Sequence, residues 1–130
     1  MKASKLVEIL NGEVFTTSTF DPDQDIKYAF SCDLMSDALM LLRNVDEAFT
    51  EKGALVTGLV TIQGVRTAEM LDLPMIILVR GKRPNALVIE EAIKANITVI
   101  GTKYTMFSAN GRMFAQGIQG ISEYEDAQNA

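Results

Sequence analysis

The apolar positions in the first third of the chain change from helical spacing to strand-like segments. Residues 4–10 carry apolar side chains at i, i+3 and i+4 before an Asn-Gly stop, which predicts a short helix. The β-branched and aromatic segment 13–18 predicts a first strand. A turn-rich break follows it, and residues 26–31 are then expected to form a second strand.

The rest of the chain alternates between strand and helix patterns. Asp33 is placed to cap a helix whose apolar residues repeat at helical spacing to Leu42, and residues 44–52 form a polar connection of undefined structure. Beyond it, the pattern predicts strands over 54–57, 75–79 and 97–100, and helices over 61–73, 84–95 and from about 105. The unbroken apolar run 75–79 is typical of a strand that is buried on both faces.

Strand and helix in alternation with short connections indicate right-handed crossovers. We therefore predict a three-layer α/β/α domain with a mostly parallel sheet of about five strands, in which the 13–18 strand is the one of mixed direction. The domain is expected to span residues 1–122, and the polar residues 123–130 are expected to be a frayed tail.

Composition narrows the function classes. The 130 residues are 48% apolar, enough for one domain with a real core, and they include no His and a single cysteine, Cys32. A Ser/His/Asp triad, a His or Cys-rich metal site and an internal disulfide are thereby excluded. The sequence predicts no catalytic residue, no metal and no cofactor.

The net charge and the hydropathy of the chain indicate which partners and which cellular location the sequence favours. With 17 acidic and 12 basic residues the net charge is −5, so the average field repels nucleic-acid backbones. No segment has the pattern of a signal peptide or the length of a membrane span, which predicts a cytoplasmic protein without a membrane partner. A small anion at a local basic cluster stays compatible with this composition.

Polar motifs follow four of the predicted strands, where a parallel sheet places them at one carboxyl edge. Open α/β sheets bind ligands at that edge, because loop side chains and helix N-terminal amides converge there. The alternative is that polar residues simply end strands and cap helices. The motifs are Ser31, Cys32 and Asp33; Thr57 and Gly58; Arg80, Gly81, Lys82 and Arg83; and Gly101, Thr102 and Lys103.

The segment from Arg80 to Arg83 is the one dense basic cluster, and it stands before Pro84, a residue suited to the first turn of a helix. Its cations suit a phosphate or carboxylate, although a solvated loop is the alternative. Arg66 is a further candidate donor, unless it lies on an exposed helix flank. The specific prediction is an anion held by Arg80 or Lys82 together with the Thr57-Gly58 and Thr102-Lys103 pairs.

Other motifs fail on spacing or on their neighbours. Asp21, Asp23 and Asp25 resemble the start of a calcium loop, but the sixth position lacks Gly and the twelfth lacks Glu. The Gly81-Lys82 pair lacks the other residues of a P-loop. A helix-capping role for Asp33 is a simpler interpretation than a catalytic pair of carboxylates formed by Asp33 and Asp37. Cys32 has no basic partner nearby in sequence, which favours a small buried residue.

The C-terminal region contains four large apolar side chains in two pairs: Met106 with Phe107, and Met113 with Phe114. Small α/β domains often pair through an apolar helix face, so this region predicts a homodimer.

Several segments together resemble a stand-alone DRTGG-domain protein over about residues 1–117. They are residues 4–14, residues 29–37, the run from Thr57 to Met70, residues 79–82 and residues 97–105. The order of elements is also similar to the N-terminal domain of HPr kinase/phosphorylase. The Asp-Arg-Thr-Gly-Gly string itself is absent, and the resemblance stops before any phosphate-binding loop, so no kinase activity is implied.

DRTGG domains are known chiefly as accessory modules of phosphotransacetylases and regulated pyrophosphatases. The resemblance therefore implies a regulatory or assembly role. The leading hypothesis is a non-catalytic, ligand-sensing domain that binds a nucleotide or other small anion at the carboxyl edge. The alternative is a structural, protein-partner-binding subunit of a larger metabolic or redox assembly without a ligand. An independent enzyme is the weakest hypothesis, because no activated nucleophile or metal constellation can be named.

Overall fold

A computed structural model describes all residues, 1–130. The elements follow in the order α1 Ala3–Ile9, β1 Glu13–Val14, a 3-10 turn Thr17–Thr19, β2 Tyr28–Ser31, α2 Met35–Leu42, α3 Glu47–Thr50, β3 Gly53–Thr57, α4 Ile62–Met70, β4 Met75–Leu78, α5 Ala86–Lys94, β5 Thr98–Gly101, α6 Met106–Ala115 and α7 Ile121–Gln128.

The five strands form one sheet in the order β1-β5-β4-β3-β2. Strands β2 to β5 are parallel, and β1 runs antiparallel to β5 with Glu13 opposite Gly101. The predicted three-layer α/β/α fold with a mostly parallel sheet is confirmed.

Side chains alternate between two apolar cores, one on each face of the sheet. Leu55, Ile76 and Val99 pack under α2, α4 and α5 on one face, while Val56, Ile77 and Ile100 pack under α1 and α6 on the other. All residues of β3, β4 and β5 are buried, as expected for strands covered on both sides.

The predicted strand over residues 13–18 is shorter in the structure. It ends at Val14, because the backbone N–H of Val99 donates to the Thr16 hydroxyl at 3.1 Å, and the chain then turns into the 3-10 segment. A side-chain acceptor thus interrupts the backbone ladder.

Two further expectations differ from the structure at polar segments. The undefined connection 44–52 contains the short helix α3. Residues 123–128 of the expected frayed tail belong to α7, which Tyr124 anchors by its buried ring and by a hydrogen bond from its hydroxyl to Asp46 at 2.5 Å. The ring lies 5.2 Å from that of Tyr28 and 5.4 Å from that of Phe49, so aromatic contacts that are distant in sequence hold the helix.

Candidate functional site

The parallel register brings the predicted motifs to one edge of the sheet. Ser31 ends β2, Thr57 ends β3, and the segments that begin at Arg80 and Thr102 follow β4 and β5. Backbone hydrogen bonds tie the last two segments together, since Arg80 N–H donates to Tyr104 O at 2.8 Å and Gly81 N–H to Thr102 O at 2.9 Å.

Residues 79–82 form a tight turn with an unusual backbone. Arg80 has φ +62°, Gly81 has φ +69°, and Lys82 N–H donates to Val79 O at 3.3 Å, which is the pattern of a type I′ turn. Glycine adopts the left-handed conformation freely, but for arginine it is strained. The turn therefore holds Arg80 in a conformation that its own side chain disfavours.

The Arg80 side chain lies over the end of the neighbouring strand β3. Its Cζ and Nε atoms are each 3.2 Å from the position that a Cβ on Gly58 would occupy. No carboxylate lies within 4 Å of the guanidinium nitrogens, and the residue is exposed. The glycine makes room for a cation that is free to meet an anion from solvent.

The predicted role of Asp33 as a helix cap is wrong. Leu34 is the N-cap residue of α2, and Asp33 Oδ1 accepts hydrogen bonds from Gly58 N–H at 2.8 Å and from the Thr57 hydroxyl at 3.3 Å. The carboxylate thus bridges the ends of β2 and β3, and it occupies the two donors that were expected to face an anion.

Thr102 is likewise committed to the fold. Its buried hydroxyl donates to Leu10 O at 2.6 Å and accepts from Tyr104 N–H at 3.2 Å. The predicted anion contacts from the Thr57 and Thr102 hydroxyls therefore do not fit this arrangement, because both groups already have intramolecular partners.

Two other candidates lie apart from the Arg80 turn. Arg66 pairs with Glu91 at 3.7 Å across the surface of α4 and α5, so it is part of a helix flank. Ser31 donates to Asn110 Oδ1 of α6 at 2.7 Å, beside a separate groove.

Exposed cations surround the Arg80 turn, and we call them the basic rim. Arg83 lies 5.1 Å from the centre of the Phe15 ring, and Arg112 lies 4.2 Å from that of Tyr104. A cavity of about 180 Å³ on the β1 and β5 side of the turn is lined by Lys82, Arg83 and Lys103, together with Glu13. The basic rim consists of Arg80, Lys82, Arg83, Lys103 and Arg112.

One acidic side chain pairs with the basic rim. Glu13 accepts a hydrogen bond from Arg83 at 2.5 Å, and this bond lowers the pKa of Glu13 and raises that of Arg83. Sequence reasoning did not select Glu13, because only the antiparallel pairing of β1 with β5 brings it to this edge. Arg112 was also missed, since it joins the rim by stacking on Tyr104 eight residues earlier along the chain.

Cys32 has the properties of a structural thiol. Burial raises its pKa, and the nearby carboxylate of Asp37 raises it further. A thiol with a raised pKa is a poor nucleophile at neutral pH.

No three His, Cys, Asp or Glu side chains are grouped as metal ligands would be. None of the helices combines the length and the hydropathy that crossing a bilayer requires.

No protein-family model matches the chain, and a search of curated proteins finds no significant relative. Among solved structures, it is similar to the CBS and DRTGG domains of the regulatory region of Clostridium perfringens pyrophosphatase, complexed with the activator diadenosine tetraphosphate. The TM-score is 0.60 at 20% sequence identity, over 86% of this chain and 45% of that chain.

This likeness concerns the fold. At 20% identity it supports a DRTGG-like architecture, and the chain spans less than half the length of its structural neighbour. The relation to HPr kinase/phosphorylase stays a prediction.

Proposed function

We propose that this protein is a non-catalytic regulatory domain that binds a small phosphate-bearing anion at the basic rim. The observation that carries the proposal is Arg80, an exposed arginine without a carboxylate partner, held over Gly58 by a turn that strains its backbone. Backbone strain concentrates at functional sites, because surrounding structure must maintain it.

The local charge supports an anionic ligand. Four of the five rim cations have no carboxylate within 4 Å, although the whole chain carries a net charge of −5. Like charges gathered on an acidic molecule repel one another, and an anion bound among them relieves that repulsion. Arginine and lysine donors form charge-assisted hydrogen bonds to phosphate oxygens.

The revised site differs from the sequence prediction in its hydroxyl groups. The Thr57 and Thr102 hydroxyls position the loops, and the cations of residues 80–83, 103 and 112 supply the ligand contacts. Asp33 Oδ1 already accepts from Gly58 N–H, so we propose that the anion binds the Arg80 guanidinium above Gly58 and not that amide.

The structural neighbour is a regulatory region bound to a polyphosphate nucleotide activator, which agrees with a ligand-sensing role for a domain of this fold. The absence of histidine and the raised pKa of Cys32 also favour a regulatory domain over an enzyme.

A thermal-shift screen with inorganic phosphate, pyrophosphate and AMP tests the proposal, followed by calorimetric titration of the best binder. Arg80→Ala is expected to weaken binding about ten-fold or more, because charge-assisted contacts contribute about 1.5 to 3 kcal/mol each. The matched control is Arg43→Ala, which removes an exposed arginine at the C-terminal end of α2, outside the basic rim. Equal affinities of the two variants would contradict the proposal.

A second candidate function is binding to a protein partner. It is favoured by exposed apolar side chains on α2 and α4, where Met40 is 70% exposed and Met70 is 69% exposed. Mutation of both methionines to Lys would abolish partner capture if this face were the functional one, and it would leave anion binding unchanged.

The homodimer prediction now rests on fewer side chains. Met113 is buried in the protein's own core, whereas Phe107 and Phe114 are exposed. Sedimentation at micromolar concentration tests this pairing: twice the monomer mass of 14.3 kDa would assign Phe107 and Phe114 to a second copy of the chain, and a single 14.3 kDa species would refute the homodimer.

A further inference from the structure

We propose that the groove between α6 and β2 holds the adenine base of a nucleotide whose phosphate binds the basic rim. This inference rests on the proposed function, since it assigns a chemical class to the ligand of the same edge. We call this groove, lined by residues of β2, α6 and the segment 118–123, the base groove.

The base groove exists because one face of β2 is left without a covering helix. The small side chains of Ala29 and Ser31 form its floor, and α6 forms one wall. Its volume is about 380 Å³, which falls within the range of small-molecule binding sites.

Gly111 makes the wall of the groove concave. It lies in the interior of α6, where glycine destabilises a helix relative to alanine, and a Cβ there would meet no atom within 4 Å. Packing within the chain therefore does not require this glycine, and the space beside it is open to a flat ligand.

Two aromatic rings flank the glycine on the same helix face. Phe107 is 88% exposed and Phe114 is 61% exposed, and both line the groove. Residues 107, 110, 111 and 114 follow the i, i+3, i+4, i+7 spacing of one face. Aromatic side chains that expose so much surface are suitable platforms for stacking a nucleobase.

Asn110 provides polar recognition between the rings. Its Oδ1 accepts from the Ser31 hydroxyl at 2.7 Å, which fixes the amide and leaves its NH₂ group without a protein partner. A carbonyl oxygen has two lone pairs, so Oδ1 can also accept from a ligand. An amide that offers one donor and one acceptor matches the N6 and N7 edge of adenine.

The groove reaches the carboxyl edge of the sheet, because Ser31, the last residue of β2, lines it. Ser31 is opposite Val56 in the parallel register, and Gly58, with the Arg80 guanidinium above it, comes two residues later. Strand spacing and rise place Ser31 roughly 8 Å from Gly58, a gap suited to the ribose of a nucleotide.

Calorimetric titration with adenosine, ribose 5-phosphate and AMP separates the two halves of the ligand. We expect AMP to bind at least about ten-fold more tightly than ribose 5-phosphate, because only AMP places a base in the groove. Gly111→Leu fills the groove with a good helix former and is expected to reduce AMP affinity to that of ribose 5-phosphate. Gly111→Ala is the matched control, since it stabilises the helix without filling the groove.

The outcomes distinguish this inference from the proposed function. Equal affinities for AMP and ribose 5-phosphate, both lost in Arg80→Ala, would overturn the base groove and leave the anion site in place. AMP binding that Gly111→Leu abolishes and Arg80→Ala preserves would support the base groove and count against the anion site. A Gly111→Leu protein that changes its sedimentation but not its AMP affinity would overturn the inference and assign the groove to a second copy of the chain.

Discussion

At the scale of single residues, substitutions at the carboxyl edge are expected to affect either ligand binding or stability. Gly58 is expected to affect mainly binding. In Gly58→Ala the new Cβ would contact only the flexible end of the Arg80 side chain and would displace its guanidinium. The free energy of unfolding is therefore expected to fall by less than about 1 kcal/mol, while the anion affinity falls several-fold. Gly12→Ala would place its Cβ 2.9 Å from the backbone oxygen of Gly101, and a loss of about 1 to 3 kcal/mol is expected. Urea unfolding with parallel titration measures both, and a Gly58→Ala protein with unchanged affinity would argue against a binding role for Arg80.

Asp33 is expected to act as a bridge between strand ends. Asp33→Ala removes two hydrogen bonds and should lower the free energy of unfolding by about 1 kcal/mol, whereas Asp33→Asn keeps a carbonyl acceptor and should lose less. Native-state hydrogen exchange locates the effect, since the Gly58 amide should lose protection in the alanine variant. Loss of protection at the first amides of α2 instead would restore the capping role.

Among the elements, α7 depends on a contact that titrates. The hydrogen bond from the Tyr124 hydroxyl to Asp46 and the burial of the Tyr124 ring raise the pKa of this tyrosine to about 12 from an ordinary value of 10. Because the pKa is raised in the folded state, the hydroxyl of Tyr124 contributes fully to the stability of the fold below pH 10, and this contribution is lost as the pH rises toward 12.

Melting temperatures of the wild type and of Tyr124→Phe across this pH range test that contact. The wild type is expected to be the more stable protein at neutral pH, and its advantage should shrink between pH 10 and pH 12. A constant difference over that window would show that the hydroxyl of Tyr124 does not hold α7.

Secondary structure elements could be predicted from the sequence where their local pattern matches their environment in the fold. The apolar runs of β3, β4 and β5 are buried on both faces, so their local pattern and their environment agree. The strand at residues 13–18 and the tail helix α7 were mispredicted, because the Thr16 hydroxyl and the Tyr124 ring act through partners that are about 80 residues away.

The sequence predicted where in the fold the candidate site lies, but it did not predict which polar groups are free to contact a ligand. Parallel strands bring their carboxyl ends to one edge in any fold of this class, which is why the Arg80 cluster could be placed there. Which donors are free depends on tertiary pairing, and the Thr57 and Thr102 hydroxyls proved to be occupied by Asp33 and Leu10. The strain at Arg80 leaves no local sequence signal other than the glycine that follows it.

For the whole molecule, we propose that an acidic domain keeps one cationic edge for an anionic ligand. A two-dimensional amide NMR titration with pyrophosphate at low salt would locate the bound anion residue by residue. We expect saturable shifts of the amides of residues 80–83 and 102–105, with the amides of residues 40–43 and 70 unchanged. Shifts confined to the α2 and α4 face, or none at millimolar pyrophosphate, would contradict anion binding at the cationic edge.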